Sequence, residues 1–99
     1  MGDTFKALAS EPRRRILNHL SGGPMTVGEI AEQFDITFGA VSQHLAILRN
    51  AEFVTVRKDG NKRFYRADRD RLAPFRAVLE AMWRDSLQDL AAQIEGDMK

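Results

Sequence analysis

Cysteine is absent from this 99-residue chain, and histidine occurs only twice. Without cysteine the protein can form no disulfide bond, no thiolate metal site and no thiol redox switch. No apolar run approaches the roughly 20 residues of a membrane-spanning helix, and the first residues lack the apolar stretch of a secretory signal peptide. These absences predict a cytoplasmic protein that holds no metal ion.

Sequence patterns that indicate catalysis are missing too. The chain has no glycine-rich loop for phosphate, no nucleophile paired with a base and no cluster of metal ligands. A chain of this length builds one small core, and little of it remains to form a deep substrate pocket. We therefore expect a single domain over residues 1–99, with no cofactor and no enzymatic activity.

Helix caps and apolar periodicity predict four helices in the first half of the chain. Ser10 precedes a helix with Pro12 in its first turn, and Thr26 with Glu29 has the spacing of a capping box. The predicted helices cover Asp3–Ala9, the segment between Ser10 and Gly22, Val27–Phe34 and Phe38–Ala51. The turn between the last two is only three residues long.

The second half of the chain favours a hairpin followed by a long helix. Phe53–Lys58 and Lys62–Ala67 are rich in β-branched, aromatic and basic residues, and Asp59-Gly60 between them favours a tight turn. Apolar residues then recur at helical spacing from Leu72 to Ile94, which predicts one helix of about 23 residues. The expected fold class is mainly α with a small β-hairpin, namely a winged helix-turn-helix of five helices and a two-stranded wing.

The fourth helix has the character of a DNA-reading helix. Two helices joined by a short turn are the layout of a helix-turn-helix. With Val41, Leu45 and Leu48 facing inward, the outward sector carries only small and polar side chains. They are those of Gly39, Ser42, Gln43 and Ala46. The small residues let the helix enter a major groove, where serine and glutamine can hydrogen-bond base edges.

The hairpin after that helix is strongly basic. Residues 49–71 hold eight lysines and arginines against four acidic residues, although the whole chain carries a net charge of only +1. A basic hairpin in this place acts as a wing that grips the phosphate backbone or enters the minor groove. The alternative is a solvated hairpin whose charges protect its exposed edge.

Several stretches of the chain resemble the ArsR-type winged-helix repressors over nearly its whole length. They are Phe5–Ala9 with Arg13–Leu17, Val27–Ala31 in the first motif helix, Val41–Leu48 in the recognition helix, and Arg57–Gly60 with Tyr65 in the wing. The resemblance implies a dimeric repressor that places Ser42, Gln43 and His44 on DNA. The expected DNA-binding residues are Thr37, Phe38, Gly39, Ser42, Gln43, His44, Arg49, Arg57, Lys58, Lys62 and Arg63.

The chain also departs from that family in several places, one of which is the capping segment Ser10-Glu11-Pro12. Thr26 and Gly28 stand where metal-sensing members often carry cysteines, and no histidine follows His44 to build a metal site in the last helix. Glu52 stands where a glycine is usual between helix and wing, at a cost of about 1 kcal/mol if the backbone there is left-handed. The resemblance therefore implies a member without a metal sensor.

The two histidines have different expected roles. His44 lies at the flank of the recognition helix, and we favour contact with a phosphate over a packing or local hydrogen-bonding role. His19, inside the second helix, is expected to be structural. A metal site built from both is disfavoured, because zinc normally takes four ligands and no partners cluster near them.

The terminal helices carry more apolar surface than one small core needs, which predicts a homodimer on an inverted-repeat operator. The expected interface residues are Phe5, Leu8, Phe75, Leu79, Met82, Trp83, Leu87, Leu90 and Ile94. An operator in its own promoter would make the protein an autorepressor.

Two other functions stay open. A winged-helix module that binds protein rather than DNA would present an apolar or acidic recognition face, which this sequence lacks. A DNA-binding sensor would hold a small ligand between the terminal helices, where Phe5, Met82 and Trp83 could line a cavity. An aromatic stripe at helical spacing is more often part of a core or a dimer interface.

Overall fold

The computed structural model describes residues 2–84 and confirms the predicted fold class. Its elements are α1 (Gly2–Ala9), α2 (Glu11–Leu20), α3 (Val27–Phe34), α4 (Phe38–Asn50), β1 (Val54–Asp59), β2 (Lys62–Ala67) and α5 (Arg69–Leu72). A 3₁₀ turn at Ala73–Phe75 and further helical residues 76–84 follow. None of the helices within the described range has the length and hydropathy of a membrane span.

Side-chain caps fix where the helix-turn-helix begins. Thr26 caps α3, since its hydroxyl accepts the Glu29 N–H at 3.2 Å while the Glu29 carboxylate accepts the Thr26 N–H at 3.0 Å. Thr37 caps α4 by accepting the Ala40 N–H at 3.1 Å. Such caps satisfy backbone donors that the first turn of a helix leaves unpaired. Both motif helices therefore start at the predicted residues.

One apolar core joins the helices to the wing. The predicted inward stripe of α4 is confirmed, because Val41, Leu45 and Leu48 are all buried. Phe53, at the junction between α4 and the wing, is fully buried and packs edge-on against Phe75 with ring centroids 5.6 Å apart. The other large, fully buried side chains of the described chain are Ile16, Leu17, Ile30 and Leu79.

The wing is a two-stranded antiparallel hairpin fastened to the start of α3. Asp59 pairs with Lys62, so the tight turn is Gly60-Asn61 and not the predicted Asp59-Gly60. Gly60 takes a φ of 63°, which a residue without a Cβ adopts readily. On the other edge of β2, Met25 and Tyr65 exchange two backbone hydrogen bonds of 2.9 and 2.8 Å. This bridge holds the wing against the helix-turn-helix.

Glu52 lies between α4 and β1 with a φ of 65°, which confirms the left-handed backbone considered for this position. Its N–H donates to the Arg49 carbonyl at 2.9 Å, so the turn itself is satisfied. The strain comes from the Cβ atom, which crowds the carbonyl in this conformation.

Glu52→Gly should therefore raise the free energy of unfolding by about 1 kcal/mol, because glycine adopts a positive φ without this strain. Urea unfolding followed by circular dichroism at one protein concentration measures the change. Glu32→Gly is the matched control, since it replaces an exposed glutamate inside α3 and should lower the same free energy by about 0.5–1 kcal/mol. Equal destabilisation by both substitutions would contradict the prediction.

The C-terminal segment departs from the single long helix that was expected from Leu72 onward. Pro74 has no N–H to donate, and its ring disfavours a regular α-helical turn, so α5 ends at Leu72 and a 3₁₀ turn follows. Regular helix resumes over residues 76–84. The remainder of the expected helix lies outside the described residues.

The predicted interface residues fall into different surroundings. Leu79 is only 2% exposed within the single chain, so it belongs to the core of the protomer and is removed from the expected interface. Phe5 is 70% exposed and Met82 is 40% exposed. Leu8, Phe75 and Trp83 are half-buried against the core, while Leu87, Leu90 and Ile94 lie outside the described residues.

Candidate nucleic-acid interface

An open groove of about 470 Å³ separates the wing from the two motif helices. The first turn of α3 forms its floor, α4 one wall and the hairpin the other. The lining residues are Thr26, Val27, Gly28, Glu29, Phe38, Ser42, Asn61, Lys62, Arg63 and Tyr65. The groove thus brings together four of the predicted DNA-binding residues, Phe38 and Ser42 from the helix and Lys62 and Arg63 from the wing.

The outward face of α4 has the expected composition and exposure. Gly39, Ser42, Gln43 and Ala46 are all exposed, so no side chain of the described fold covers this face. A Cβ atom at Gly39 would have no neighbour within 4 Å, which means that packing does not require glycine there. The face is therefore free to approach another surface closely, and the small residues permit that approach.

The basic residues of the wing divide between its two faces. Lys58 lies opposite Arg63, whereas Arg57 lies opposite Phe64. Because successive strand residues point to opposite faces, Lys58 and Arg63 share one face and Arg57 lies on the other. The sequence predicts these cations close together at the tip of the hairpin. In the structure they lie on two opposite faces of it, so a single partner surface cannot contact all of them from one side. Neither Arg57 nor Lys58 lines the groove, and Arg49 lies exposed near the end of α4 outside it.

These cations are available for an external anion. Arg57, Lys58, Lys62 and Arg63 are all exposed, and the one ion pair within residues 2–84 lies elsewhere, between Arg76 and Glu80. The groove does contain an acid, Glu29. Its carboxylate is held by the capping hydrogen bonds from Thr26, which keep the pKa of Glu29 below its ordinary value, and Lys62 acts in the same direction.

His44 has a partner that the sequence did not predict. The Arg13 guanidinium lies 3.4 Å from the His44 Nδ1. Since arginine only donates, Nδ1 must accept and the proton of the neutral ring resides on Nε2. Burial and the positive charge of Arg13 both lower the pKa of His44. The ring therefore makes the local hydrogen bond named as its alternative role, and the neutral Nε2–H remains a donor suited to the predicted phosphate contact.

Arg13 also holds the end of α1. It donates from Nε to the Ala7 carbonyl at 3.0 Å and from Nη2 to the Lys6 carbonyl at 2.6 Å. One guanidinium thus connects the last turn of α1 to the recognition helix. This link was not predictable from the sequence, because Arg13 and His44 are 31 positions apart and no local spacing relates them.

The lowered pKa of His44 predicts a pH-dependent stability. The unfolded chain takes up a proton near the ordinary value of about 6.5, whereas the folded chain resists it, so stability should fall as pH drops from about 7.5 to 5.5. Urea unfolding at these pH values measures the fall. His44→Gln should reduce it. An identical pH dependence in wild type and His44→Gln would remove His44 as its cause.

The two positions at which metal-sensing members of the family often carry cysteines hold other residues here, Thr26 and Gly28. The Thr26 hydroxyl is used in capping α3, and Gly28 offers no side-chain ligand. Within residues 2–84 no group of three or more histidine, aspartate or glutamate side chains is placed to hold an ion.

Six groove residues were not among the predicted DNA-binding residues. Four of them, Thr26, Val27, Gly28 and Glu29, belong to the cap and first turn of α3, and the other two, Asn61 and Tyr65, belong to the wing. Asn61 is the second residue of the Gly60-Asn61 turn at the tip of the wing. Tyr65 enters through its bridge to Met25, a pairing that periodicity within the hairpin does not show.

Comparison with known sequences gives a consistent result. Residues 10–56 match the family model described as bacterial regulatory protein, arsR family. The chain is 38% identical over 93 residues to the HTH-type transcriptional regulator Rv2034 of Mycobacterium tuberculosis, covering 94% of this chain and 87% of that protein. It is 43% identical over 65 residues to the transcriptional repressor SdpR of Bacillus subtilis, covering 66% and 72% respectively.

Solved structures agree with the sequence relatives. A crystal structure of a possible transcriptional regulator for arsenical resistance matches with a TM-score of 0.69 and 41% identity, covering 92% of this chain and 95% of that chain. The solution structure of the homodimeric winged helix-turn-helix DNA-binding domain of Mb0332 from Mycobacterium bovis matches with a TM-score of 0.74 and 26% identity, covering 85% and 78%.

Proposed function

The chain belongs to the ArsR family of bacterial transcriptional regulators, and on that premise we propose that it is a sequence-specific DNA-binding repressor. The observation that carries this proposal is the groove, where Ser42 from the exposed polar face of α4 lies across from Lys62 and Arg63 of the wing, two cations without an ion-pair partner among residues 2–84. The name of the relative SdpR, a transcriptional repressor, supports the direction of regulation. The protein would act by binding, not by catalysis, and its place would be with the chromosome in the cytoplasm.

We propose that α4 enters the major groove and reads bases through Ser42 and Gln43. Both side chains are exposed on the outward face, and glutamine pairs well with the two hydrogen-bonding groups of adenine. Thr37 and Gly39 lie at the start of the helix, where helix-turn-helix proteins make their base contacts. His44 would donate from Nε2 to a DNA phosphate at the edge of the major groove.

The wing and the end of α4 would hold the phosphate backbone. Lys62 and Arg63 both line the groove beside α4. By the strand register Arg63 lies on one face of the hairpin, whereas Arg57 and Lys62 lie on the other. A hairpin with cations on both faces fits a wing that lies between two phosphate strands. Lys58 and Arg49 would extend these contacts at either end.

The domain over residues 1–99 would dimerise through its terminal helices on an inverted-repeat operator. The similar Mb0332 domain is homodimeric, which supports this assembly. The exposure of the apolar residues Phe5 and Met82 supports it as well. Two protomers can then place their recognition helices in successive major grooves about 34 Å apart. Control of its own promoter is one form that repression would take.

Two substitutions separate base reading from phosphate contact and thereby test the proposal. Gln43→Ala should cost about 1–3 kcal/mol against the preferred base pair at one position in each half-site and relax preference there. Arg63→Ala should weaken all duplexes alike. Mobility shifts with genomic fragments that the protein itself retains, and with their single-base variants, measure both effects. The opposite pattern would assign base reading to the wing, and retention of no fragment would refute DNA binding.

A further inference from the structure

Phe38 is an exposed aromatic residue on the surface proposed to bind DNA. Its side chain is 63% exposed, and the other large exposed apolar residues of the described chain are Phe5, Val78 and Met82. Those three belong to the terminal elements, where the proposed dimer would cover them. Phe38 lies on the helix-turn-helix, so dimerisation through the terminal helices does not explain its exposure.

The position of Phe38 is fixed by the fold. It is the first residue of α4, directly after Thr37, whose hydroxyl caps the helix. It shares a helix face with Ser42 four residues later, and both line the groove beside Lys62 and Arg63. The following residue, Gly39, has no side chain to stand between the ring and an approaching surface.

We propose that Phe38 reads thymine through its 5-methyl group. This inference rests on the proposed function and specifies part of its base preference. The basic wall of the groove fits a polyanion and not an apolar protein partner, so the occupant facing the ring is DNA. The first residues of a recognition helix contact base edges, and the thymine methyl is the apolar group that those edges present in the major groove.

Uracil in place of thymine tests this contact, since it removes the methyl group and leaves base pairing intact. The probe is the duplex most enriched by the wild-type protein from a random-sequence library, resynthesised with uracil at one thymine position at a time. Loss of one buried methyl corresponds to about fourfold in affinity, and loss at both half-sites to about 15-fold. We expect this sensitivity at one thymine in each half-site.

Phe38→Ala should bind the thymine duplex more weakly than wild type and bind the thymine and uracil duplexes equally. Gln43→Ala is the matched control, because it alters a neighbouring residue on the same face and should keep the fourfold ratio. Phe38→Leu should keep part of it. Circular dichroism confirms that each variant is folded, as expected for residues that are exposed in the protomer.

The outcomes separate the inference from the function on which it depends. An enriched duplex that tolerates uracil at every position, or a ratio that persists in Phe38→Ala, would overturn thymine reading and leave DNA binding intact. A consensus without thymine in its half-sites would likewise overturn thymine reading and leave DNA binding intact. Failure to enrich any duplex would overturn both.

Discussion

Operator binding should weaken on the order of a thousandfold when monovalent salt rises from 50 to 200 mM, if about six phosphates are contacted per dimer. Each phosphate contact releases condensed counterions, so the logarithm of affinity falls linearly with the logarithm of salt concentration. Three wing cations per protomer, Lys62, Arg63 and Arg57, already supply this number, and contacts from Lys58 and Arg49 would make the fall steeper. All three are exposed without a carboxylate partner in the described chain.

Variants make the prediction more specific. Arg63→Gln removes one contact per protomer and hence two per dimer, so the slope of the salt plot should decrease by about 1.8. Arg76→Gln is the control, because Arg76 lies outside the groove and pairs with Glu80 at 3.1 Å. Fluorescence anisotropy with a labelled duplex at several salt concentrations gives the slopes. Equal slopes in wild type and Arg63→Gln would exclude the wing from phosphate binding.

The helix-turn-helix was predictable from the sequence because its determinants are local. Thr26 and Glu29 specify the start of α3 through hydrogen bonds that span three residues, and Thr37 does the same for α4. The buried stripe of α4 follows from helical periodicity alone. The strain at Glu52 was foreseeable through the family resemblance, since a glycine is usual at this position between helix and wing.

Three features could not be predicted, because each depends on contacts between residues that are far apart in the sequence or on the pairing of the two strands. Asp59-Gly60 and Gly60-Asn61 are both good turn dipeptides, and only the strand register decides between them. The apolar stripe of the last helix does not tell whether a residue meets its own core or a second chain. Leu79 meets its own core, held there by packing against distant elements. The link between Arg13 and His44 arises only once α1, α2 and α4 assemble.

The split of the wing cations was within reach of the sequence. Strand alternation alone assigns Arg57 to the face opposite Lys58. The density of basic residues indicates only that the tip of the wing is positively charged. The alternation of side chains along the strands is what assigns each cation to one face. For the proposed interface this means that single arginine substitutions probe different sides of the wing.

The surface proposed for dimerisation is apolar and held in place. Phe5 and Val78 are 70% and 58% exposed. The helix that carries Phe5 cannot shift easily, because Arg71 donates to the Thr4 hydroxyl at 2.8 Å and Arg14 to the Leu8 carbonyl at 2.8 Å. Because the helix that carries the Phe5 ring is held in place, its backbone has little entropy to lose when a partner covers the ring. Aromatic residues buried at an interface often dominate its binding energy.

Phe5→Ala should therefore weaken the dimer by about 2–4 kcal/mol, or roughly 30-fold to 900-fold in its dissociation constant. Phe38→Ala is the matched control, since it removes a ring that is almost equally exposed but lies on the helix-turn-helix, and it should leave dimerisation unchanged. Sedimentation or light scattering over a dilution series measures the equilibrium, and circular dichroism verifies that the monomer is folded. Monomeric Phe5→Ala should bind an inverted repeat no more tightly than it binds a duplex with a single half-site. A folded wild-type monomer that binds an inverted repeat as tightly as the dimer would refute both the interface and the paired placement of recognition helices.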